Sequence, residues 1–135
     1  WRLNKYIGGG IKNFRYYCHV RDNIDPNSNF VCNMHPHNYY LEILTETGLL
    51  GFFTILGIFT IVLYNSFFKK YISKNEFENN NIIVPFIFLF IIEIFPIKST
   101  GSFFTTGNAS YLFLILAILV ALTQKDNLID KKNEL

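Results

Sequence analysis

Charged residues are scarce in this sequence, and their scarcity excludes several classes of protein. Asp, Glu, Lys and Arg make up 16% of the 135 residues, whereas soluble domains usually carry charge on about a quarter of theirs. The net charge is only +2 and no run of Lys and Arg with interleaved aromatic residues is present, so a nucleic-acid partner is not expected. Half of the residues are apolar, with 15 Phe among them. The composition therefore indicates a membrane protein rather than a soluble domain.

A second absence concerns the start of the chain. The sequence begins at Trp1 without Met, and its first residues are polar and glycine-rich. The charged start and apolar core of a signal peptide are not visible. We therefore expect the sequence to be the C-terminal part of a longer membrane protein.

Three apolar segments predict membrane-spanning helices. A spanning helix needs about 20 mostly apolar residues, because the bilayer hydrocarbon is about 30 Å thick. Residues 39–68 combine an amphipathic start with an uncharged span, and residues 106–124 are uncharged throughout. Residues 82–97 are shorter and contain Pro85 and Glu93. The predicted fold is all-α and integral to the membrane, with three transmembrane helices.

Lysines beside the first and third spans predict the orientation. The loop 69–81 and the tail 125–135 both carry several lysines, and positive residues in short loops stay cytoplasmic. Residues 1–38 and the short loop 98–105 are then expected to form the periplasmic side. Residues 1–38 also carry five Lys and Arg, against the usual pattern, and binding of an anion would explain them.

The two cysteines, Cys18 and Cys32, both fall in the predicted outer loop. In an oxidising compartment such a pair is most simply a disulfide, and closing a loop of about 15 residues stabilises by roughly 3 kcal/mol in the chain-entropy model. Zinc is the alternative, since His19, His35 and His37 are further possible ligands. The spacing of the five residues matches none of the familiar zinc frameworks, so zinc is the less favoured of the two.

A histidine next to a predicted helix start carries the main chemical signal. Asn38 is a good N-cap, which predicts a helix from Tyr39. The free amides and the dipole of that helix would favour a bound anion such as a diphosphate next to His37. The same field disfavours imidazolium, so His37 is expected to stay neutral and able to accept a proton. His19 and His35 are expected to be hydrogen-bonded loop residues.

Residues further along the same predicted helix have a regular spacing. Tyr39, Glu42 and Glu46 recur at intervals of three and four, which places them on one face. Gly48 and Gly51 allow close backbone packing where the chain enters the bilayer.

One sequence motif consists of "HN", nine further residues and then "GLLG". It resembles the His-Asn-x9-Gly-x-x-Gly signature of the O-antigen ligase and polymerase superfamily. Upstream, "GGGIKNFRYYC" resembles the Gly-rich stretch ending in Phe-Arg that precedes the His loop of that family. Downstream, "FPIKSTGSFFTTGNASYLFLILAIL" is similar to the segment around its last membrane helices. The resemblance covers nearly the whole chain, as the C-terminal portion of the family's domain, and implies a larger polytopic GT-C-like helical bundle.

The resemblance also implies a function. Ligases of this superfamily take a glycan from undecaprenyl diphosphate and join it to a lipid A-core acceptor at the periplasmic face of the bacterial inner membrane, without a cofactor or a metal. The family's essential histidine corresponds to His37, as base for the acceptor hydroxyl, beside Asn38. Its diphosphate-binding arginines correspond to Arg15, in "NFR", and less closely to Arg21. Family members have further helices and arginines upstream, so the present chain is not expected to be active alone.

Other functions stay open at this stage. A polymerase of the same superfamily joins one lipid-linked repeat to another, and a protein-glycosylating ligase uses a protein acceptor. A non-catalytic segment of a transporter or an assembly subunit would also contain three spans. Transporters use discontinuous helices and intramembrane charges, of which Glu93 is the one sign. Glu93 can instead lie near the outer end of its span and reach water.

Overall fold

The computed structural model describes residues 4–19, 35–73, 81–98 and 101–133. Within these ranges every regular element is helical, so the all-α prediction is confirmed for them. The elements, in chain order, are α1 (Phe14–His19), α2 (Tyr39–Leu63), a π-helix that continues α2 (Tyr64–Ser73), a 3₁₀ turn (Asn81–Ile83), α3 (Val84–Glu93) and α4 (Thr106–Asn133).

Two helices are long and apolar enough to cross a membrane. The candidate spans are Tyr39–Lys69 and Thr106–Lys125, which correspond to the first and third predicted spans. In their most apolar stretches only 11% and 22% of the residues are buried, unlike the core helix of a soluble protein. Length, composition and exposure together indicate association with a membrane.

Helix α4 is longer than the span predicted within it. The tail predicted from residue 125 continues the helix as far as Asn133. No Gly or Pro follows Gly107 in the sequence, so neither of the residues that most strongly end a helix is present there.

The second predicted span corresponds to a much shorter helix. α3 has ten residues, about 15 Å at 1.5 Å per residue, which is about half of the hydrocarbon thickness. Pro85 lies in its first turn, where proline is tolerated. The helix ends just before Pro96, because the residue preceding a proline is biased away from helical geometry. The second of the three predicted spans therefore stays a prediction, and two of the described helices are long enough to cross a membrane.

Helix α2 is interrupted at Gly48. Its φ of 69° and ψ of −166° lie outside the helical region, in a part of conformational space that is open essentially to glycine alone. The break divides α2 into residues 39–47 and residues 49–63. An unbroken helix would have paired the N–H groups of Leu49 and Leu50 with carbonyls four residues earlier.

A distant part of the chain, the inserted segment (residues 4–10), supplies the missing partners. Four backbone hydrogen bonds join it to the two sides of the break, the donor named first: Leu49 to Lys5 (2.9 Å), Leu50 to Tyr6 (3.1 Å), Gly9 to Thr45 (2.9 Å) and Gly10 to Glu46 (2.9 Å). These bonds satisfy both amides and both carbonyls that the break would otherwise leave unpaired. The interruption is thus stabilised by the protein's own backbone.

The two glycines of the "GLLG" motif, Gly48 and Gly51, differ in what they accommodate. Gly48 allows the inserted segment to approach, because a Cβ there would overlap the carbonyl of Tyr6. A Cβ on Gly51 would instead overlap the side chain of Thr47, whose hydroxyl donates to the carbonyl of Ile43 at 2.7 Å. Close backbone packing is therefore observed at Gly48, whereas Gly51 makes room for a side chain.

The chain divides into two compact units. The first comprises Trp1–Ile55 and Pro96–Asn108, and the second comprises Leu56–Phe95 and Ala109–Leu135. In the core of the second unit, the rings of Phe59 and Phe90 meet edge to face at 5.4 Å between centroids. All the candidate site residues that the structure describes belong to the first unit.

Candidate functional site

The N-cap predicted at Asn38 is confirmed. Its Oδ1 accepts hydrogen bonds from the N–H groups of Tyr40 (3.0 Å) and Leu41 (3.2 Å), and α2 begins at Tyr39. The other end of the same amide, Nδ2, donates to the carbonyl of Pro96 at 2.7 Å. Asn38 therefore both caps α2 and binds the connection between α3 and α4.

The Asn38 cap bears on the expectation that free amides at the start of α2 bind an anion. The N–H groups of Tyr40 and Leu41 are taken by Asn38 Oδ1, and that of Glu42 donates to the Asn38 carbonyl at 3.0 Å. An anion beside this helix would thus meet the field of the dipole and nearby side chains rather than a row of free amides. The cap therefore does not support a contact between a diphosphate and the Tyr40 and Leu41 amides, and the anion site stays a prediction.

His37 lies just outside the helix with an exposed side chain. Its φ of 52° is in the left-handed region, where few residues other than glycine are found and where histidine is among the more tolerated types. Its ring lies 4.3 Å from that of His35, centroid to centroid, with the planes tilted by 54°. His37 is therefore open to an external partner, as a base for a substrate must be.

His35 differs from His37 in its surroundings. Its side chain is half-buried, and its Nε2 is enclosed without a hydrogen-bond partner in the part of the chain that the structure describes. The hydrogen bond expected for this histidine is thus not made at Nε2 within those residues.

Two buried carboxylates follow on α2. Tyr39, Glu42 and Glu46 are exposed by only 4%, 2% and 3%, so the shared face predicted from their spacing is confirmed as a buried one. Glu42 accepts hydrogen bonds from the Ser102 hydroxyl and the Phe103 N–H, each at 2.5 Å. The rings of Tyr39 and Phe103 also meet edge to face at 5.4 Å. This face of α2 therefore holds the residues that precede α4.

Glu46 binds the residues around the start of α1. Its Oε2 accepts the N–H of Lys12 at 2.6 Å. The carboxylate therefore attaches the residues just before α1 to α2.

Arg15 lies in the first turn of α1. Its Nε donates to the carbonyl of Lys12 at 3.2 Å, and its guanidinium carbon is 5.8 Å from the ring centroid of Tyr16. A guanidinium has five N–H donors, and within the described residues only the one at Nε is used. The remaining donors have the geometry that suits phosphate oxygens.

Several predicted site residues lie outside the described part of the chain. Nothing is described for Arg21 or Cys32, and for Cys18 only the backbone is described, within α1. The disulfide and the role of Arg21 therefore stay predictions. Among the described residues, no group of three or more His, Cys, Asp and Glu is arranged to hold a metal ion.

Sequence reasoning missed the way in which Arg15 and His37 are joined to one helix. The spacing placed Glu42 and Glu46 on one face but did not assign them partners. The signal available was a pair of carboxylates on an otherwise apolar helix, which must find hydrogen-bond donors when buried.

Comparison with protein-family models, with curated proteins and with solved structures gave no match. A function for this chain must therefore be inferred from its residues and their geometry. The elements available for that inference are the exposed His37, the capped helix behind it and the arginine-bearing segment in the same unit.

Proposed function

We propose that this chain is the C-terminal part of a bacterial inner-membrane glycosyltransferase. It would transfer a glycan from undecaprenyl diphosphate to a lipid A-core acceptor at the periplasmic face. The observation that best supports the proposal is the exposed imidazole of His37 ahead of a capped helix N-terminus, in the same compact unit as Arg15. The type of reaction is proposed from the resemblance of the "HN" and "GLLG" motifs to those of the O-antigen ligase superfamily.

In the proposed reaction, His37 takes the proton from the attacking hydroxyl of the acceptor sugar. The hydroxyl oxygen forms a bond to the anomeric carbon while the bond from that carbon to the diphosphate oxygen breaks. Undecaprenyl diphosphate leaves with the electron pair, and the configuration at the anomeric carbon inverts. Arg15 neutralises charge on the leaving diphosphate, and a well-placed base contributes about 10²–10⁴-fold to the rate.

Contacts between the start of α2 and the residues that follow α3 support the proposed membrane topology. Asn38, just before α2, bonds to Pro96, just after α3, and Glu42, in the first turn of α2, bonds to Ser102, which supports the proposal that these segments lie on the same side of the bilayer. Segments on opposite faces of hydrocarbon about 30 Å thick could not form these bonds. This placement supports the proposal that residues 82–97 form a third span.

The interruption of α2 is a second feature, besides Glu93, that would suit a transporter. Discontinuous membrane helices of transporters bind substrates and ions through backbone groups that the break exposes. In this chain, however, the amides of Leu49 and Leu50 and the carbonyls of Thr45 and Glu46 are all bonded to the inserted segment. The break therefore accommodates protein backbone, and the transferase is the better supported proposal.

The proposal is tested by replacing His37 with Asn in the complete protein, reconstituted with the lipid-linked donor and the lipid A-core acceptor. Asn tolerates the left-handed conformation of residue 37, so the fold is expected to persist. Transfer is expected to fall by about 10²-fold or more. The matched variant His35→Asn is expected to retain transfer, because the adjacent half-buried ring is not exposed to the acceptor.

Transfer at the wild-type rate by His37→Asn would disprove the proposed base. Supplying a second lipid-linked repeat in place of the lipid A-core separates the ligase from the polymerase. Product formed with the repeat alone would assign the chain to the polymerase reaction.

A further inference from the structure

We infer that Glu42 and Glu46 are positioning residues, each fastening a different part of the site to the helix that His37 precedes. Glu46 fixes the segment that carries Arg15, and Glu42 fixes the residues that lead into α4. Their effect on catalysis rests on the proposed function, whereas their effect on local structure does not.

Burial makes these two carboxylates unusual. Glu42 and Glu46 are exposed by 2% and 3%, and an ionised carboxylate removed from water is strongly destabilising unless donors surround it. Apolar side chains would fill the same space without that cost. What a carboxylate adds is a pair of directional acceptors, and both residues use them on backbone N–H groups of other segments.

Glu46 holds the Arg15 segment through both its backbone and its side chain. Its carbonyl accepts from the N–H of Gly10 at 2.9 Å, and its carboxylate accepts from the N–H of Lys12 at 2.6 Å. Lys12 adopts a φ of 60°, a strained conformation for a residue other than glycine, which a strong hydrogen bond at its own amide helps to maintain. Arg15 follows only three residues later, so the position of Lys12 also determines where the Arg15 guanidinium lies.

Glu42 holds a different segment through the same kind of contact. It binds Ser102 and Phe103, while Asn38, one helical turn earlier, binds Pro96. The connection between α3 and α4 is thus attached to α2 at two successive turns. Because Asn38 is the residue next to His37, a shift of this connection would be transmitted to the imidazole.

Substitution of Glu42 and substitution of Glu46 are therefore expected to have separate effects on the reaction. Loss of the Glu46 carboxylate should weaken binding of the donor diphosphate through Arg15, and loss of the Glu42 carboxylate should slow proton transfer through His37. Gln is a suitable replacement for both, since it keeps the size and removes the negative charge that strengthens each hydrogen bond.

The structural test is hydrogen exchange of the complete protein in nanodiscs. Glu46→Gln is expected to speed exchange about tenfold or more in peptides covering residues 9–16 and to leave residues 101–105 unchanged, because a hydrogen bond to a charged group is weakened only there. Glu42→Gln is expected to give the reverse pattern, so each variant is the control for the other. Unchanged exchange at residues 9–16 in Glu46→Gln, or faster exchange throughout the protein in both variants, would overturn the inference.

The kinetic test separates positioning from general stability. Glu46→Gln should raise KM for the donor about as much as Arg15→Gln does, with little change in kcat, and the double variant should be no worse than Arg15→Gln alone. Glu42→Gln should instead lower kcat. Equal losses in kcat and KM for the two variants would contradict separate roles. A wild-type protein without transfer activity would overturn the proposed function, while the exchange pattern would still decide the positioning.

Discussion

Gly8 packs its backbone directly against that of Gly48. A Cβ on Gly8 would lie 2.6 Å from the Gly48 nitrogen, and a Cβ on Gly48 would lie 2.5 Å from the Gly8 nitrogen. Real Cβ atoms essentially never approach other atoms so closely. The contact joins the inserted segment, which precedes Arg15 in the chain, to the break in α2.

Substitution of this glycine pair should destabilise the protein. Gly48→Ala is expected to lower the free energy of unfolding by at least about 2 kcal/mol, because alanine is strained at a φ of 69° and its Cβ overlaps Tyr6. Gly57→Ala is the control, since nothing lies within 4 Å of its Cβ position and alanine favours a helix by up to about 1 kcal/mol. Thermal unfolding in detergent measures both. Equal melting temperatures for the two variants would show that the break does not require glycine.

The two bonds of Asn38 can be separated by substitution. Asn38→Asp keeps the oxygen that caps α2 and loses the donor to Pro96, whereas Asn38→Ala loses both. We expect the alanine variant to be less stable than the aspartate variant by about 1 kcal/mol, the usual contribution of an N-cap. Denaturant unfolding of the three proteins checks this order. Identical stability of the two variants would argue that the cap contributes nothing.

The backbone conformation of His37 predicts which replacements the fold accepts. His37→Gly should leave the free energy of unfolding unchanged within about 0.5 kcal/mol or raise it, because glycine adopts a positive φ without strain. His37→Val should lower it by about 1–2 kcal/mol, since a β-branched residue is disfavoured there. Both variants remove the imidazole, so both should lose glycan transfer. Stability that is lower for Gly than for Val would contradict the observed φ of 52°.

The proposed topology predicts where labels can reach. Tyr6 and Ile97 are exposed by 69% and 85% and belong to the same compact unit. With Cys18 and Cys32 replaced by serine, Tyr6→Cys and Ile97→Cys should both react with a membrane-impermeant thiol reagent added from the periplasmic side. Lys125→Cys, at the far end of the α4 span, should react only after the membrane is permeabilised.

Labelling of Ile97→Cys and Lys125→Cys from the same side would contradict a span between them. A reaction of Tyr6→Cys from the cytoplasmic side alone would place His37 on the wrong face for the proposed donor. The two results test different parts of the proposal, since the first concerns α4 and the second concerns the orientation of the site.

Features that depend on neighbours within a turn or two could be predicted from the sequence. Asn38 caps α2 because its side chain needs only the next two amides. The long apolar segments became long helices because composition and length govern that outcome locally. Tyr39, Glu42 and Glu46 share a face because helical periodicity places them there.

Features that depend on distant partners could not be predicted in the same way. Gly48 was predicted to pack closely, but nothing near it in the chain indicates that α2 breaks there. A break leaves two amides and two carbonyls unpaired, so it is stable only because residues 4–10 fold back and bond all four. Likewise, a carboxylate at position 42 or 46 can be buried only where another segment brings N–H donors to it. Short-range rules therefore specified the helices and their faces, while long-range hydrogen bonding placed Arg15, His37 and the α3–α4 connection around α2.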